Sequence, residues 1–218
     1  MNKKCAFTLA EVLITLGIIG VVAAVTLPAL ITNYQKQVTI NKIKKFYTNM
    51  TQVLQMAVTE NGEFSTWNYS SSLDLYNKYI KPYIKNVEDV DTELHIHGDF
   101  TGGVRFVFTD GTQAILSSST SWLSGNNKPT IIFYTNAQKH TDINSKYLKH
   151  PTRERFYFKI NNVGMLVPPD MNNTREQNLQ SCKYQWISGN NNNTNNGNVS
   201  CSTLIYKDGW KIDNDYPW

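Results

Sequence analysis

The chain has 218 residues, which is long enough for a membrane segment and one modest domain. Hydrophobic residues make up 40% of it and charged residues only 17%, so neutral polar side chains are frequent, as in proteins outside the cytoplasm. The formal net charge of +4 is small and is spread along the chain, so the composition does not argue for a nucleic-acid-binding surface.

A long apolar run follows a short basic start. Lys3 and Lys4 precede the run, and no charged residue occurs from Val12 to Ile31. About 20 apolar residues span a bilayer as an α-helix, so the sequence predicts a membrane segment. Three interpretations are open: a secretory signal peptide cleaved after the small residues Val22 to Ala24, an uncleaved anchor, or a segment cleaved in front of the apolar run.

Glu11 distinguishes these interpretations because it places a carboxylate near the start of the apolar run. An ionised side chain inside hydrocarbon costs on the order of 2.5–3.5 kcal/mol, so such a residue normally has a partner. Cleavage between Ala6 and Phe7 would create an α-ammonium group about one helical turn before Glu11. The two charges could pair within one chain or between neighbouring chains, where the pair would fix the axial register of an assembly.

The segment FTLAEVLITLGIIGVVAAVTLPAL, preceded by basic residues and a small residue, resembles the N-terminus of type IV pilins and type II secretion pseudopilins. The resemblance implies cleavage between Ala6 and Phe7 by a prepilin peptidase, N-methylation of Phe7, and a role for Glu11 in filament assembly. It also implies that Pro28 is the helix-kinking proline often found in these proteins. Ala6 is a departure, because this family usually has Gly before the cleavage point.

The helical pattern continues beyond the membrane segment. Apolar residues recur there at three- and four-residue spacing and form one stripe, which comprises Ile43, Phe46, Tyr47, Met50, Val53, Leu54 and Ala57. Gly62 marks the end of the pattern. The sequence therefore predicts a helix from Phe7 to about Glu60, roughly 80 Å long, with a bend at Pro28.

Shorter elements are predicted after this helix. SLDLYNKYIKPYIKNV has a helical pattern, VRFVFTDGTQAIL predicts a hairpin with an Asp-Gly turn, and PTIIFYTN predicts a strand. RFYFKINNVGMLVPP predicts a hairpin that turns at Asn162 to Gly164, and LIYKDGWKIDNDYPW predicts one more short hairpin. This order predicts an α+β fold in which a long N-terminal helix packs on a small antiparallel β-sheet, and it resembles the pilin-like fold.

The cysteines indicate an oxidising compartment. If Cys5 is removed or stays in the cytoplasm, Cys182 and Cys201 remain as a pair. We predict a disulfide between them, which would stabilise the fold by roughly 3 kcal/mol; the alternative is two free buried thiols. The enclosed stretch NNNNTNNGN is predicted to be a surface loop. It resembles the disulfide-bounded C-terminal region that pilins expose on the filament surface.

The sequence contains no recognisable catalytic or cofactor-binding pattern, so we predict that the chain is not an enzyme and needs no cofactor. The stretch HIHGD places His95 and His97 on one face of a strand, but Phe100 stands where a metallo-β-lactamase-type hydrolase would have a further His. Some secretion pseudopilins bind calcium in a C-terminal loop. Candidate oxygen ligands in this chain are Asp208, Asp213 and Asp215, but their spacing matches no defined loop, so no metal site is predicted.

The sequence-based interpretation is a prepilin-like subunit of a type IV pilus or type II secretion pseudopilus. We expect a leader at residues 1–6, a membrane-spanning and filament-core helix at 7–31, its amphipathic continuation at 32–60, and an extracytoplasmic domain at 61–218. Expected partners are the prepilin peptidase and N-methyltransferase, other pilins and an assembly platform in the inner membrane. Lysines on both sides of the apolar run leave its orientation open, so the outside position of the C-terminus follows from the disulfide and the resemblance. The alternative is a secreted or membrane-anchored binding protein that does not polymerise.

Overall fold

In a computed structural model of the protein, residues 8–96, 100–118, 128–137, 151–183 and 199–218 are described. The helices are α1 (Leu9–Asn61), a 3-10 turn (Phe64–Thr66), α2 (Ser72–Leu75) with a π-helical continuation (Tyr76–Ile80), α3 (Pro151–Glu154), α4 (Arg175–Lys183) and α5 (Cys201–Lys207). The strands are β1 (Val87–Ile96), β2 (Phe100–Phe108), β3 (Gln113–Ser117), β4 (Thr130–Tyr134), β5 (Arg155–Ile160) and β6 (Leu166–Val167). The chain divides into two compact units, Met1–Thr39 and Ile40–Trp218.

The described part of the first unit is the apolar beginning of α1. An 18-residue window of this helix has a mean hydropathy of 2.4, and none of the window is buried. By length and composition the helix is therefore able to cross a membrane. Pro28 lies inside α1, and the carbonyl of Pro28 accepts a hydrogen bond from Thr32 Oγ1 at 2.9 Å. The bend at Pro28 stays a prediction.

The second unit contains the amphipathic end of α1. Its buried residues are Ile40, Ile43, Phe46, Met50, Val53, Leu54 and Ala57, which confirms the predicted stripe apart from Tyr47, which is partly buried. Phe46 stacks on Phe133 of β4 with the ring centroids 4.3 Å apart. The helix ends at Asn61 because Gly62 adopts a φ of +81° and its N–H donates to the Val58 carbonyl at 2.9 Å.

The six strands form one antiparallel sheet in the order β1-β2-β3-β4-β5-β6. Because side chains alternate along a strand, one face of the sheet supplies the apolar core. Its buried residues are Val104, Phe106, Phe108, Ala114, Leu116, Ile131, Phe133, Phe156, Phe158, Ile160 and Leu166. The long helix and this sheet confirm the predicted α+β fold.

The predicted hairpin turns are also confirmed. Between β2 and β3, Gly111 adopts a φ of +73° and the Asp110 carboxylate accepts the Thr112 N–H at 3.1 Å. Between β5 and β6, Gly164 adopts a φ of +79° and its N–H donates to the Asn161 carbonyl at 3.0 Å. Both positions favour glycine because other residues rarely take positive φ.

The predicted hairpin at the C-terminus is wrong. Residues 201–207 form helix α5, and no strand follows among residues 208–218. Helical hydrogen bonds hold this segment, since the Leu204 N–H donates to the Ser200 carbonyl and the Asp208 N–H donates to the Leu204 carbonyl, each at 2.9 Å. The Asp208-Gly209 pair ends this helix: Gly209 has a φ of +71°, and the Trp210 N–H donates to the Ile205 carbonyl at 2.8 Å.

Candidate functional site

The candidate site for assembly is the start of α1, where Thr8 and Glu11 interact directly. Glu11 Oε2 accepts hydrogen bonds from the Thr8 N–H and from Thr8 Oγ1, each at 2.8 Å. In return, Thr8 Oγ1 accepts the Glu11 N–H at 3.3 Å. This reciprocal pattern is a capping box, which satisfies N–H groups that have no partner within the helix.

The capping box gives Glu11 a role within its own chain, which our sequence reasoning missed. The signal was present in the sequence as Thr8 followed three residues later by Glu11. A carboxylate in the first helical turn also interacts favourably with the helix dipole. Among the described residues, Glu11 Oε1 has no hydrogen-bond partner, so one carboxylate oxygen remains able to accept from another chain.

The helix beyond Glu11 presents apolar side chains on all sides. Leu13, Ile14 and Leu16 are 60–62% exposed, and the neighbouring turns are similar. A Cβ atom added at Gly17 or Gly20 would meet no atom within 4 Å. An apolar surface of this size is unusual in a soluble monomer and indicates contact with a membrane or with other protein chains.

Comparisons with known proteins divide the chain at Pro28. Residues 29–218 match the model of a family of unknown function, DUF6613. The chain belongs to DUF6613. In this DUF6613 member, residues 1–27 match the model of the prokaryotic N-terminal methylation motif, which is the prepilin-type cleavage and methylation segment of type IV pilins and pseudopilins. No curated protein and no solved structure is significantly similar to the chain.

The methylation motif makes this DUF6613 member a pilin- or pseudopilin-like precursor. Proteins with this motif are structural subunits, and the motif implies processing by a prepilin peptidase and assembly with other pilins. The apolar start of α1 is consistent with membrane anchoring. Ala6 and Phe7, which flank the expected cleavage point, lie outside the described residues.

Two lysines of α1 connect the helix to the ends of the strands. Lys42 Nζ donates to the Thr135 carbonyl at 2.8 Å, and Lys45 Nζ lies 2.7 Å from an Asp110 carboxylate oxygen. Burial raises the pKa of Asp110, but hydrogen bonds from Lys45 and Thr112 outweigh burial and hold this pKa below its usual value. Lysines on both sides of the apolar run are the reason why the count of charges does not predict the membrane orientation. In the structure, these two lysines bind acceptor groups of the second unit.

The C-terminal helices are connected at both ends. A disulfide joins Cys182, near the end of α4, to Cys201, at the start of α5, with the Cα atoms 4.7 Å apart. At the other end, Arg175 Nε lies 2.8 Å from Asp208 Oδ1, directly after α5. The two helices are therefore antiparallel neighbours, held covalently at one end and by an ion pair at the other.

The three candidate calcium ligands do converge, but they converge on Arg175. The Arg175 guanidinium lies 2.8 Å from Asp208, 3.5 Å from Asp213 and 2.7 Å from Asp215. Hydrogen bonds from Arg175 lower the pKa of Asp215. The site is thus an ion-pair network, which we call the Arg175 cluster, and our reading of the sequence had not included Arg175.

The histidine candidates for a metal site lie largely outside the described residues. Among the described residues, no group of three His, Cys, Asp or Glu side chains is arranged to hold a metal ion. The backbone of His95 lies in β1, whereas residues 97–99 lie outside the described part of the chain. The Asn-rich stretch at 190–198 is also outside it.

Proposed function

We propose that this chain is a structural subunit of an extracytoplasmic filament, either a type IV pilus or a type II secretion pseudopilus. A prepilin peptidase cleaves the precursor between Ala6 and Phe7, and Phe7 is N-methylated. The precursor waits in the cytoplasmic membrane with its C-terminus outside, and an inner-membrane assembly platform then moves it into a filament with other pilins. The observation that carries this proposal is the methylation motif at residues 1–27, followed directly by an exposed apolar helix.

The capping box supports a specific role for Glu11. Oε2 is already held by Thr8 within the chain, whereas Oε1 is not bound by any described residue. After cleavage, the new α-ammonium group of one subunit can donate to the Glu11 carboxylate of its neighbour. Such a pair would compensate the cost of a charge in an apolar environment and would set the axial register between subunits.

The disulfide supports the outside position of the second unit. Structural disulfides persist in oxidising compartments and are rare in the cytoplasm. Cys182 and Cys201 are both fully buried and bonded to each other. We therefore infer that the part of the chain after the apolar run lies outside the cytoplasmic membrane.

The first experiment is mass spectrometry of the mature N-terminus in protein taken from its native cell. An N-methylated Phe7 is the expected result. A chain that begins at Val25 would contradict the proposal and indicate an exported binding protein. An intact Met1 would indicate a static membrane anchor that does not polymerise.

A second experiment separates the two roles of Glu11. Glu11→Ala removes both the cap and the charge, and we expect normal membrane insertion with loss of filaments in a shearing assay. Glu11→Gln is the matched control, because an amide oxygen still accepts from the Thr8 N–H but carries no charge. If Glu11→Gln assembles like the wild type, the cap and not the charge is what assembly requires, and the register argument is wrong.

A further inference from the structure

The sheet face opposite the apolar core contains buried polar and charged side chains. No member of this set is more than 8% exposed, and it comprises Arg105, Gln113, Ser117, Thr130, Tyr134, Arg155 and Tyr157. Buried polar groups normally have hydrogen-bond partners, and buried charges normally have counter-charges. The two arginines of this face differ in that respect.

Arg105 is compensated by neighbouring groups. Its Nη2 lies 3.0 Å from an Asp89 carboxylate oxygen, its Nη1 donates to Gln113 Oε1 at 3.3 Å, and its Nε lies 4.0 Å from Asp91. Asp89 and Asp91 of β1 are thus paired with Arg105 of β2. They are not paired with Arg155 on β5.

Arg155 has no carboxylate partner among the described residues, although it is only 8% exposed. Its Nε is buried and makes no hydrogen bond. The guanidinium lies over the ring of Tyr157 at 5.2 Å. A cation–π contact of this kind offsets only part of the cost of burying an ion. Arginine cannot escape this cost by losing its proton.

Tyr134 provides a second polar group at the same position. It is the direct cross-strand partner of Arg155 in the β4–β5 register, so both side chains lie on one face. Burial raises the pKa of Tyr134, and the charge of Arg155 and a hydrogen bond from Arg155 to the Tyr134 hydroxyl only partly oppose this effect. Tyr134 therefore keeps its proton and remains a hydrogen-bond donor at any working pH.

We propose that Arg155, Tyr134 and Tyr157 form a binding site for a small oxyanion, with a carboxylate, phosphate or sulfate group as the ligand. The Arg155 guanidinium supplies planar paired donors, the geometry that recognises two oxygens of such a group. The Tyr134 hydroxyl donates to the same ion, and the Tyr157 ring supports the guanidinium. This site is separate from the filament function and does not depend on it.

The test is the thermal unfolding of the full-length protein in detergent while chloride is replaced by phosphate, sulfate or acetate at constant ionic strength. For the wild type we expect a saturable rise of about 5–10 °C at a hundred-fold excess over Kd for at least one anion. Phosphate and sulfate test a free inorganic ion, and acetate tests a carboxylate. Arg155→Met should lose this rise, and Tyr134→Phe, which keeps the ring and the fold, should reduce the affinity.

Lys159→Met is the matched control, because Lys159 is a cation on the same strand and the same face, with Thr130 as its cross-strand partner. It should keep the anion response. No response in the wild type, or an equal response in Arg155→Met, would overturn the proposal. If Arg155→Met raises the melting temperature without any anion and the wild type is insensitive to anions, Arg155 is an uncompensated charge and not a binding group.

Discussion

Gly164 offers a quantitative test of how the β5–β6 turn packs against α1. A Cβ atom at this position would lie 2.5 Å from Val58 Cγ2 and 3.3 Å from Phe64 Cβ, closer than ordinary van der Waals contact. The residue also has a φ of +79°. Gly164→Ala therefore combines a steric clash with an unfavourable backbone conformation.

The expected loss of stability follows from these two terms. A left-handed backbone costs roughly 1–2 kcal/mol for a residue with a Cβ, and overpacking costs typically about 1–3 kcal/mol. We expect Gly164→Ala to reduce the free energy of unfolding by about 2–5 kcal/mol, which lowers Tm by about 4–20 °C in a chain of this length. Thermal unfolding followed by circular dichroism in detergent measures this shift.

Gly111→Ala is the matched control, since Gly111 has a φ of +73° but open space where the Cβ would lie. It should show only the backbone cost of roughly 1–2 kcal/mol. Adding Val58→Ala to Gly164→Ala removes the clashing methyl groups and should make the double variant more stable than the sum of the single changes. Equal losses for Gly164→Ala and Gly111→Ala would refute the contact between the turn and the helix.

Two further predictions concern the C-terminal helices. Changing Cys182 and Cys201 to Ser should lower the free energy of unfolding by roughly 3 kcal/mol, because the disulfide closes a loop with a sequence separation of 19. Denaturant titration measures this loss. An unchanged unfolding midpoint would contradict the argument that the disulfide stabilises the fold by restricting the unfolded chain. The pKa of Asp215 is lowered in the folded chain. The Arg175 cluster therefore stabilises the fold at any pH above the ordinary Asp pKa of about 4, and this contribution is lost as the pH falls through the lowered pKa of Asp215. Arg175→Met should lower Tm at pH 7 and flatten the dependence of Tm on pH below about 5, so an unchanged acid profile would count against it.

Most of the fold prediction rested on sequence patterns within short segments of the chain. The stripe on α1 and the glycine turns were readable because each depends on residues within a few positions of one another. The C-terminal Asp208-Gly209 pair was misread because the same dipeptide can turn a hairpin or end a helix. The helix is stabilised by tertiary contacts, namely the buried side chains of Leu204 and Ile205 and the disulfide at Cys201, and such contacts are properties of the folded chain.

The sequence did not predict those contacts of the candidate sites that join residues far apart in the chain. Arg175 reaches Asp208 and Asp215 across 33 and 40 positions, and no sequence spacing predicts such a contact. The same holds for Arg155, whose importance arises from its burial beside Tyr134. Thr8 differs from these, because its capping motif lies within one helical turn and was visible in the sequence.

The boundary between the two family matches leads to a prediction about truncation. The methylation motif ends at residue 27 and the DUF6613 match begins at residue 29, so the junction lies inside α1 and not in a linker. The end of α1 supplies buried core residues to the second unit, among them Ile43, Phe46, Met50 and Leu54. Each buried side chain of this size stabilises the fold by roughly 1.5–3 kcal/mol.

A chain truncated to residues 36–218 should therefore be soluble and fold cooperatively, because it keeps this stripe and loses the exposed apolar segment. A chain truncated to residues 62–218 should not fold, since the four side chains Ile43, Phe46, Met50 and Leu54 alone account for about 6–12 kcal/mol, as much as the whole stability of a typical domain. Near-ultraviolet circular dichroism and a sharp unfolding transition distinguish the two outcomes. If the shorter chain folded as cooperatively as the longer one, the end of α1 would be a support for the apolar segment and not part of the domain core.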